Sequence, residues 1–380
     1  MEYPTTFLGW LSFTSIGALA FVSVITTVVF VHELGHFLAA RYFGVRVESF
    51  SIGFGRAIIG FKDRLGTHWK IGWLPLGGYV KFWGDESVSS TPDHQKLDHA
   101  SAAERAGSFH HKPLWQKAII AVGGPVANFI LAFFVFAALA WTYGDVPPRV
   151  GEVMKGMPGD TAGIKTGDIV EEIQGQKILG FRDLTQIVTL SEGVPLQFVI
   201  LRGTERLSFP VTPVTFEREN GLGGKLQLPA IGIRNSPVES LDSLVKYSIL
   251  ESVYRGYRNV RWYILITSQF IGKLLTGTGD YKQVSGVIGI ATVSSQVAVF
   301  FGVVDLINLA AVLSVSIGLL NLFPIPMLDG GHLLYYGIEA VRGRPLGERA
   351  QEFGFRIGLV LVVCLMLFAT WNDITKFNLF

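Results

Sequence analysis

The run His32-Glu33-Leu34-Gly35-His36 sets two imidazoles four positions apart with a carboxylate between them. On a helix that spacing puts both rings on one face, where they can reach one metal ion. The glutamate is then placed to take a proton from water at that ion. From Phe7 to Phe30, the run leading into the motif, there is no charged residue. Three polar side chains ending so apolar a helix are costly. That argues for chemistry and against a merely salt-bridged histidine pair. A catalytic zinc needs a third protein ligand and an open position. His110 and His111 lie beside Lys112, ahead of the next apolar run, and read as interfacial. Asp329 is the better candidate. It follows Asn321-Leu322-Phe323-Pro324-Ile325-Pro326-Met327-Leu328 and precedes Gly330-Gly331. The two prolines break a helix near the membrane, and broken backbone there is tolerated only against protein or a cavity. His332 follows closely and reads as a non-ligand.

Such groups require a membrane scaffold. Of 380 residues, 49% are hydrophobic and 16% charged, and the mean hydropathy is +0.41. A soluble domain carries about a quarter charged residues, so the composition implies an integral membrane protein. The net charge of +2 gives no support for a nucleic-acid partner. Cys364 is the sole cysteine, which excludes a disulfide framework and a cysteine zinc site. The apolar runs predict a polytopic α-helical protein with about four spanning helices, near 7–40, 115–143, 299–323 and 355–371. The first lacks a basic n-region and a small-residue cleavage site, so it reads as a retained helix rather than a signal peptide. A shorter apolar stretch, Tyr263–Leu275, follows Arg255, Arg258 and Arg261 and predicts an amphipathic, interfacial helix. Lys and Arg crowd the loop after the first helix and the loop before the last. The positive-inside rule then puts both loops in the cytoplasm, both termini and the long middle segment outside, and the metal motif toward the cytoplasmic side.

Four segments follow. Residues 1–145 form an N-terminal membrane core. Within it Ser49–Phe82 is glycine-rich and alternating, and predicts a membrane-associated β-hairpin or small sheet, while Glu86–Ser108 is polar and reads as a flexible connection. Residues 146–215 change to an αβ pattern, with strands near Arg149–Val153, Ile169–Ile173, Leu196–Leu201 and Leu207–Val211 and a helix at Phe181–Leu190. Its run from Met157 to Ile169, MPGDTAGIKTGDI, resembles the bacterial PDZ pattern, so one inserted PDZ domain is expected. Residues 216–298 carry the interfacial helix, and 299–380 form the C-terminal membrane core.

Taken together, the motifs resemble those of bacterial site-2 proteases, the intramembrane zinc metalloproteases that include the regulator-of-sigma-E protease. The shared runs are HExxH, NxxPxPxxDG at Asn321–Gly330, FSIGFG at Phe50–Gly55, PLGGYVKF at Pro75–Phe82 and GPVANF at Gly124–Phe129. The resemblance implies Zn2+ held by His32, His36 and Asp329, with Glu33 as acid and base. It implies that Asn321 contacts substrate and that the loop around Ser51, Gly53, Phe54 and Gly55 offers an edge to an extended substrate chain. It implies a bacterial inner membrane, the PDZ domain on the outer side, and substrates that are single-pass membrane proteins, such as pre-cleaved anti-sigma factors, or signal-peptide remnants. Two departures stand out. There is one PDZ-like run rather than two, and Ser285–Ile290 lacks the proline of the usual SGPIGI. Two other readings stay open at this point: an inactive PDZ-bearing membrane scaffold, and a metalloprotease acting on soluble loops.

Overall fold

The computed structural model describes residues 7–86, 93–219, 225–237 and 241–376. In chain order it holds helix α1 (Phe7–Tyr42), strands β1 (Val47–Lys62) and β2 (His68–Phe82), helices α2 (His94–Asp98), α3 (Ala102–Gly107) and α4 (Leu114–Tyr143), and strand β3 (Val150–Val153). Next come α5 (Pro158–Thr161), β4 (Ile169–Ile173), β5 (Gln176–Lys177), α6 (Phe181–Thr189), β6 (Leu196–Arg202), β7 (Glu205–Val211), β8 (Val214–Glu219), β9 (Lys225–Ala230) and β10 (Ile233–Asn235). The chain ends with α7 (Ile249–Leu275), α8 (Val287–Gln296), α9 (Val303–Asn321), α10 (Asp329–Arg342) and α11 (Glu348–Lys376). The described residues form two compact units, one from those up to Ala132 together with Ser285–Thr375, the other from those between Phe133 and Val284.

Among the described residues, four helices are long and apolar enough to cross a membrane: Thr14–Tyr42, Leu114–Tyr143, Val303–Asn321 and Arg349–Lys376. In the first unit, α1 buries Ala20, Val24, Val28 and His32. The step of four residues keeps them on one face, so the packing stripe of the helix runs straight into the metal motif. Against α4 the contact is made by glycines. A Cβ on Gly35 would lie 2.1 Å from the Gly123 carbonyl oxygen, so the two backbones touch, as small residues permit between membrane helices. The apolar helix α8, absent from the sequence reading, packs on α1, and Gly302 (φ 87°) turns the chain into α9. This is why the third spanning helix starts at Val303 rather than near Val299.

The β region is folded more tightly than a hairpin. Residues Ser49–Ile52 of β1 pair with Gly78–Lys81 of β2 on one side and with His68–Ile71 on the other, while Ala57–Lys62 pair with His68–Gly72. Each long strand therefore contributes two lanes. The bends fall at Gly53 (φ 79°), Gly55 (φ 85°) and Gly77 (φ 87°), conformations that only glycine adopts freely. Phe50 stacks on Trp69 at 4.4 Å and meets Phe37 edge-on at 5.7 Å. Because Phe37 follows His36 directly, this cluster fixes the sheet against the metal motif. The polar segment ahead of Ser108 is not a simple flexible connection. Asp93 caps α2, and a reciprocal Ser101–Glu104 capping box starts α3.

The second unit is built on a four-stranded sheet in the order β5-β4-β6-β7, with β3 beside β10 and a β8–β9 hairpin. Val150, Val170, Ile173, Phe198 and Ile200 form its core. The strand beside β3 is Ile233–Asn235, so the module extends beyond Thr215. Helix α7 corrects the sequence reading. It runs for 27 residues, and the arginines that looked like a flank lie on it. Arg255 is buried and forks onto both carboxylate oxygens of Asp183, each at 2.9 Å. Burial alone would raise the Asp183 carboxyl, but the Arg255 fork prevails and holds it below its ordinary range.

Candidate metal centre

Three side chains converge in the first unit. His32 Nε2 and His36 Nε2 lie 3.2 Å apart, His32 Nε2 is 3.2 Å from Asp329 Oδ2, and His36 Nε2 is 3.4 Å from Asp329 Oδ1. Among the described residues this is the one cluster of three whose ligand atoms lie within 4.8 Å of one another. A tetrahedral zinc with bonds of about 2.0–2.1 Å separates its ligand atoms by about 3.3 Å, so the set has the spacing zinc requires. The protonation pattern agrees. His36 Nδ1 donates to the Ile120 carbonyl at 2.8 Å, which leaves its Nε2 lone pair facing a carboxylate. Converging acceptors repel unless a cation lies among them, and buried Asp329 Oδ2 has no hydrogen-bond partner.

Helix α4 orients both rings. Pro125 sits inside it and loosens the preceding turn, and on that turn the Ile120 carbonyl receives His36. Asn128, fully buried, brings its amide to 3.3 Å from His32 Nδ1. Its Oδ1 has no partner as placed. The two ends of an amide are interchangeable in shape, and with Oδ1 toward the ring His32 Nδ1–H donates to it, freeing Nε2 for metal. Ser314 of α9 donates to the Asn128 carbonyl at 2.9 Å and ties the two helices at this level. Space for the rings comes from Gly124, where a Cβ would lie 2.3 Å from His36 Nε2. The GPVANF run alone assigns Asn128 no role. The available signal was a carboxamide in an apolar spanning helix, which is costly without a purpose. Outer partners of metal-bound histidines carry about 10–100-fold in affinity. Asn128→Ala is therefore expected to weaken zinc by that factor in a chelator competition, and an unchanged affinity would remove Asn128 from the site.

Asp329 is the first residue of α10, set by a tight turn after α9. Met327 holds φ 86°, a conformation strained for a side chain of its size. The turn closes so tightly that a Cβ on Gly330 would lie 2.2 Å from the Phe323 carbonyl oxygen. This explains the Pro-x-Pro and Gly-Gly flanks of the aspartate. Asn321, in the last turn of α9, brings its amide to 3.4 Å from His32 Nε2, at the rim of the cluster. His332 lies outside the three-residue cluster. His110 pairs with buried Asp85 at 2.7 Å, which accounts for its position away from the ligands.

The loop expected to face substrate divides. Phe54 and Gly55 are exposed. Ser51 and Gly53 are buried, and Ser51 has strand neighbours on both sides, Tyr79 and Lys70. That pairing removes Ser51 from any free edge. The lane next to Glu33 is the end of β2. A Cβ on Gly78 would lie 3.0 Å from Glu33 Cγ, and the Val80 amide reaches the Glu33 carboxylate. The outer flank of this lane has no strand neighbour among the described residues.

Spanning helices that bring two HExxH histidines, the glutamate between them and a third carboxylate together have the donor set a membrane metalloprotease requires. The pattern of Peptidase family M50 matches residues 20–365, and the chain belongs to that family. A protein of Agrobacterium fabrum, provisionally named a zinc metalloprotease, is 45% identical over 358 residues, 94% of this chain and 95% of that one. The metalloprotease MmpA of Caulobacter vibrioides is 40% identical over 382 residues, 94% of this chain and 95% of its own. A Campylobacter jejuni protein, also provisionally named a zinc metalloprotease, is 35% identical over 368 residues, 96% of this chain and 95% of that one. The chain is a zinc metalloprotease of the membrane.

Proposed function

We propose that this metalloprotease hydrolyses peptide bonds within or beside the membrane-spanning segment of single-pass proteins. His32, His36 and Asp329 are the zinc ligands and Glu33 is the acid and base in this reading. The observation that carries it is the location of the ligand set, with two ligands on the spanning helix α1 and the third just past the spanning helix α9. Zinc, when bound, supplies a Lewis acid that lowers the pKa of a water to about 7 and polarises a carbonyl. Glu33 accepts the proton of the attacking water and delivers it to the leaving nitrogen. A substrate helix hides its amides in its own hydrogen bonds and must unwind before it can be cut. The Gly78–Val80 lane offers backbone partners to the unwound chain by strand addition, with Phe54 and Gly55 bordering it and Asn321 holding the loosened backbone.

The 146–237 module is read as a PDZ domain, supported by its MPGDTAGIKTGDI run and by the β3–β10 pairing beside a four-stranded sheet. The lysine and arginine distribution supports an orientation with this module outside a bacterial inner membrane and the metal ligands toward the cytoplasm. Substrates are then proteins already trimmed outside, of the anti-sigma-factor type, or signal-peptide remnants, with the module excluding bulky outer domains. The test uses purified protein in vesicles with a single-pass substrate, trimmed or untrimmed, and maps products by mass spectrometry. Cleavage inside the apolar segment of the trimmed form is expected, and cleavage confined to soluble loops would overturn the reading. Replacing residues 146–237 by a flexible linker, with zinc retained, should admit the untrimmed form. Continued rejection would end the filter role.

A further inference from the structure

Helix α7 carries two different faces. Gly256 meets α4 so closely that a Cβ there would lie 2.7 Å from the Phe133 carbonyl oxygen and 2.9 Å from Ala137 Cβ. Two turns on, Tyr263 stacks on Phe136 at 5.4 Å. These α4 positions lie about 9–15 Å before the end of the helix at a rise of 1.5 Å per residue. A 30-residue helix is about 45 Å long, close to a bilayer with its headgroups. For a helix of that length spanning a bilayer, the contact falls near the boundary of the hydrocarbon layer at the C-terminal end of α4. Trp141 and Tyr143, both exposed on the last turn of α4, are the residue types that mark that boundary. On α7, Leu250, Val253, Tyr254 and Tyr257 recur at helical spacing and are exposed. An apolar and aromatic stripe at this depth faces lipid.

Beside that stripe, a cleft of about 230 Å³ opens between α6 and α7, lined among others by Leu190, Tyr254, Tyr257, Arg258, Arg261 and Trp262. No acidic side chain lines it. Arg258 reaches Asp183 behind the cleft at 3.1 Å. Asp183 is already forked by Arg255, and Asp145 also lies near that guanidinium at 3.9 Å. The two carboxylates balance Arg255 and Arg258. Arg261 is exposed with no acidic partner among the described residues, so the cleft keeps a surplus positive charge. Trp262 gives its indole N–H to the Gln186 carbonyl at 3.2 Å, which leaves the ring as an apolar wall.

We propose that this cleft binds the phosphodiester headgroup of an anionic phospholipid, with Arg261 and Arg258 on the phosphate and the Trp262–Leu190 side against the upper acyl chain. A guanidinium matches phosphate oxygens in a planar, two-point fashion, and the neighbouring tyrosine hydroxyls add donors. The site ties the α6–α7 corner of the second unit to the lipid surface.

The test uses the full chain with zinc bound, in neutral detergent, titrated with dioctanoyl phosphatidylglycerol or dioctanoyl phosphatidylcholine and read by native mass spectrometry. Retention of one phosphatidylglycerol in preference to phosphatidylcholine is expected. A basic side chain at a membrane surface contributes about fivefold in lipid affinity, so Arg261→Gln should weaken phosphatidylglycerol by about that factor. Arg234→Gln, which removes an exposed arginine elsewhere in the unit, should leave it unchanged. Equal retention of both lipids, or equal loss in both variants, would overturn the site. So would a peptide with a free C-terminal carboxylate that displaces phosphatidylglycerol and itself loses affinity on Arg261→Gln, since the cleft would then be a peptide site. Far-ultraviolet circular dichroism and zinc content confirm that each variant is folded, so a null result counts against the proposal.

Discussion

Glu33→Gln is expected to abolish peptide cleavage while zinc stays bound at full stoichiometry. The amide keeps the size and polarity of the side chain but cannot accept a proton. The three ligand side chains and their supports, Ile120, Asn128 and the Met327 turn, are untouched. General acid–base catalysis contributes about 10²–10⁴-fold, and in the proposed mechanism one carboxylate serves both the water and the leaving nitrogen, so the loss belongs at the upper end. Single-turnover cleavage of a detergent-solubilised substrate, with zinc measured on the same sample, checks it. A residual rate of a tenth or more would show that another group moves the proton.

Asp329→Ala is expected to remove zinc outright. It takes away the only anionic ligand and leaves two neutral imidazoles. The loss in affinity should exceed the roughly 10–100-fold carried by outer partners such as Asn128. His332→Ala is the control, three residues along the same helix and outside the cluster, and it should keep its metal. Elemental analysis of the two purified variants separates the cases. Metal lost from His332→Ala and kept by Asp329→Ala would mean that the third ligand has been misassigned.

The metal cluster could be read from the sequence because its signals are local. HExxH brings two candidate ligands onto one helix face through helix geometry alone, and Asp329 stands out between helix-breaking prolines and a glycine pair. The spanning helices were legible for a similar reason, since length and apolarity suffice. What stayed hidden depends on partners distant in the chain. Arg255, Arg258 and Arg261 looked like the basic flank of a short surface helix. The carboxylate that draws Arg255 into the interior is Asp183, 72 residues earlier. Helix α8 is hard to read from the sequence because its one glycine and two serines, buried Gly289, Ser294 and Ser295, dilute an apolar run of only ten residues. The double pairing of Ser49–Ile52 depends on bends at Gly53, Gly55 and Gly77, and alternation alone does not reveal that a strand folds back on its own partner. For that reason Ser51 was taken for an edge residue. Asn128 needed the position of His32 before its amide had a meaning.

The proposed ligands lie far apart in sequence, and this has a bearing on biosynthesis. His36 and Asp329 are roughly 290 residues apart, so translation at about 5–20 residues per second separates their appearance by about 15–60 s. Throughout that interval the nascent polypeptide holds only two of the three proposed ligands. On the proposed ligand assignment, hydrolytic competence waits until Asp329 has been made and α9 has come to rest beside α1 and α4, so the order of synthesis itself acts as a safety catch against the protein's own earlier segments.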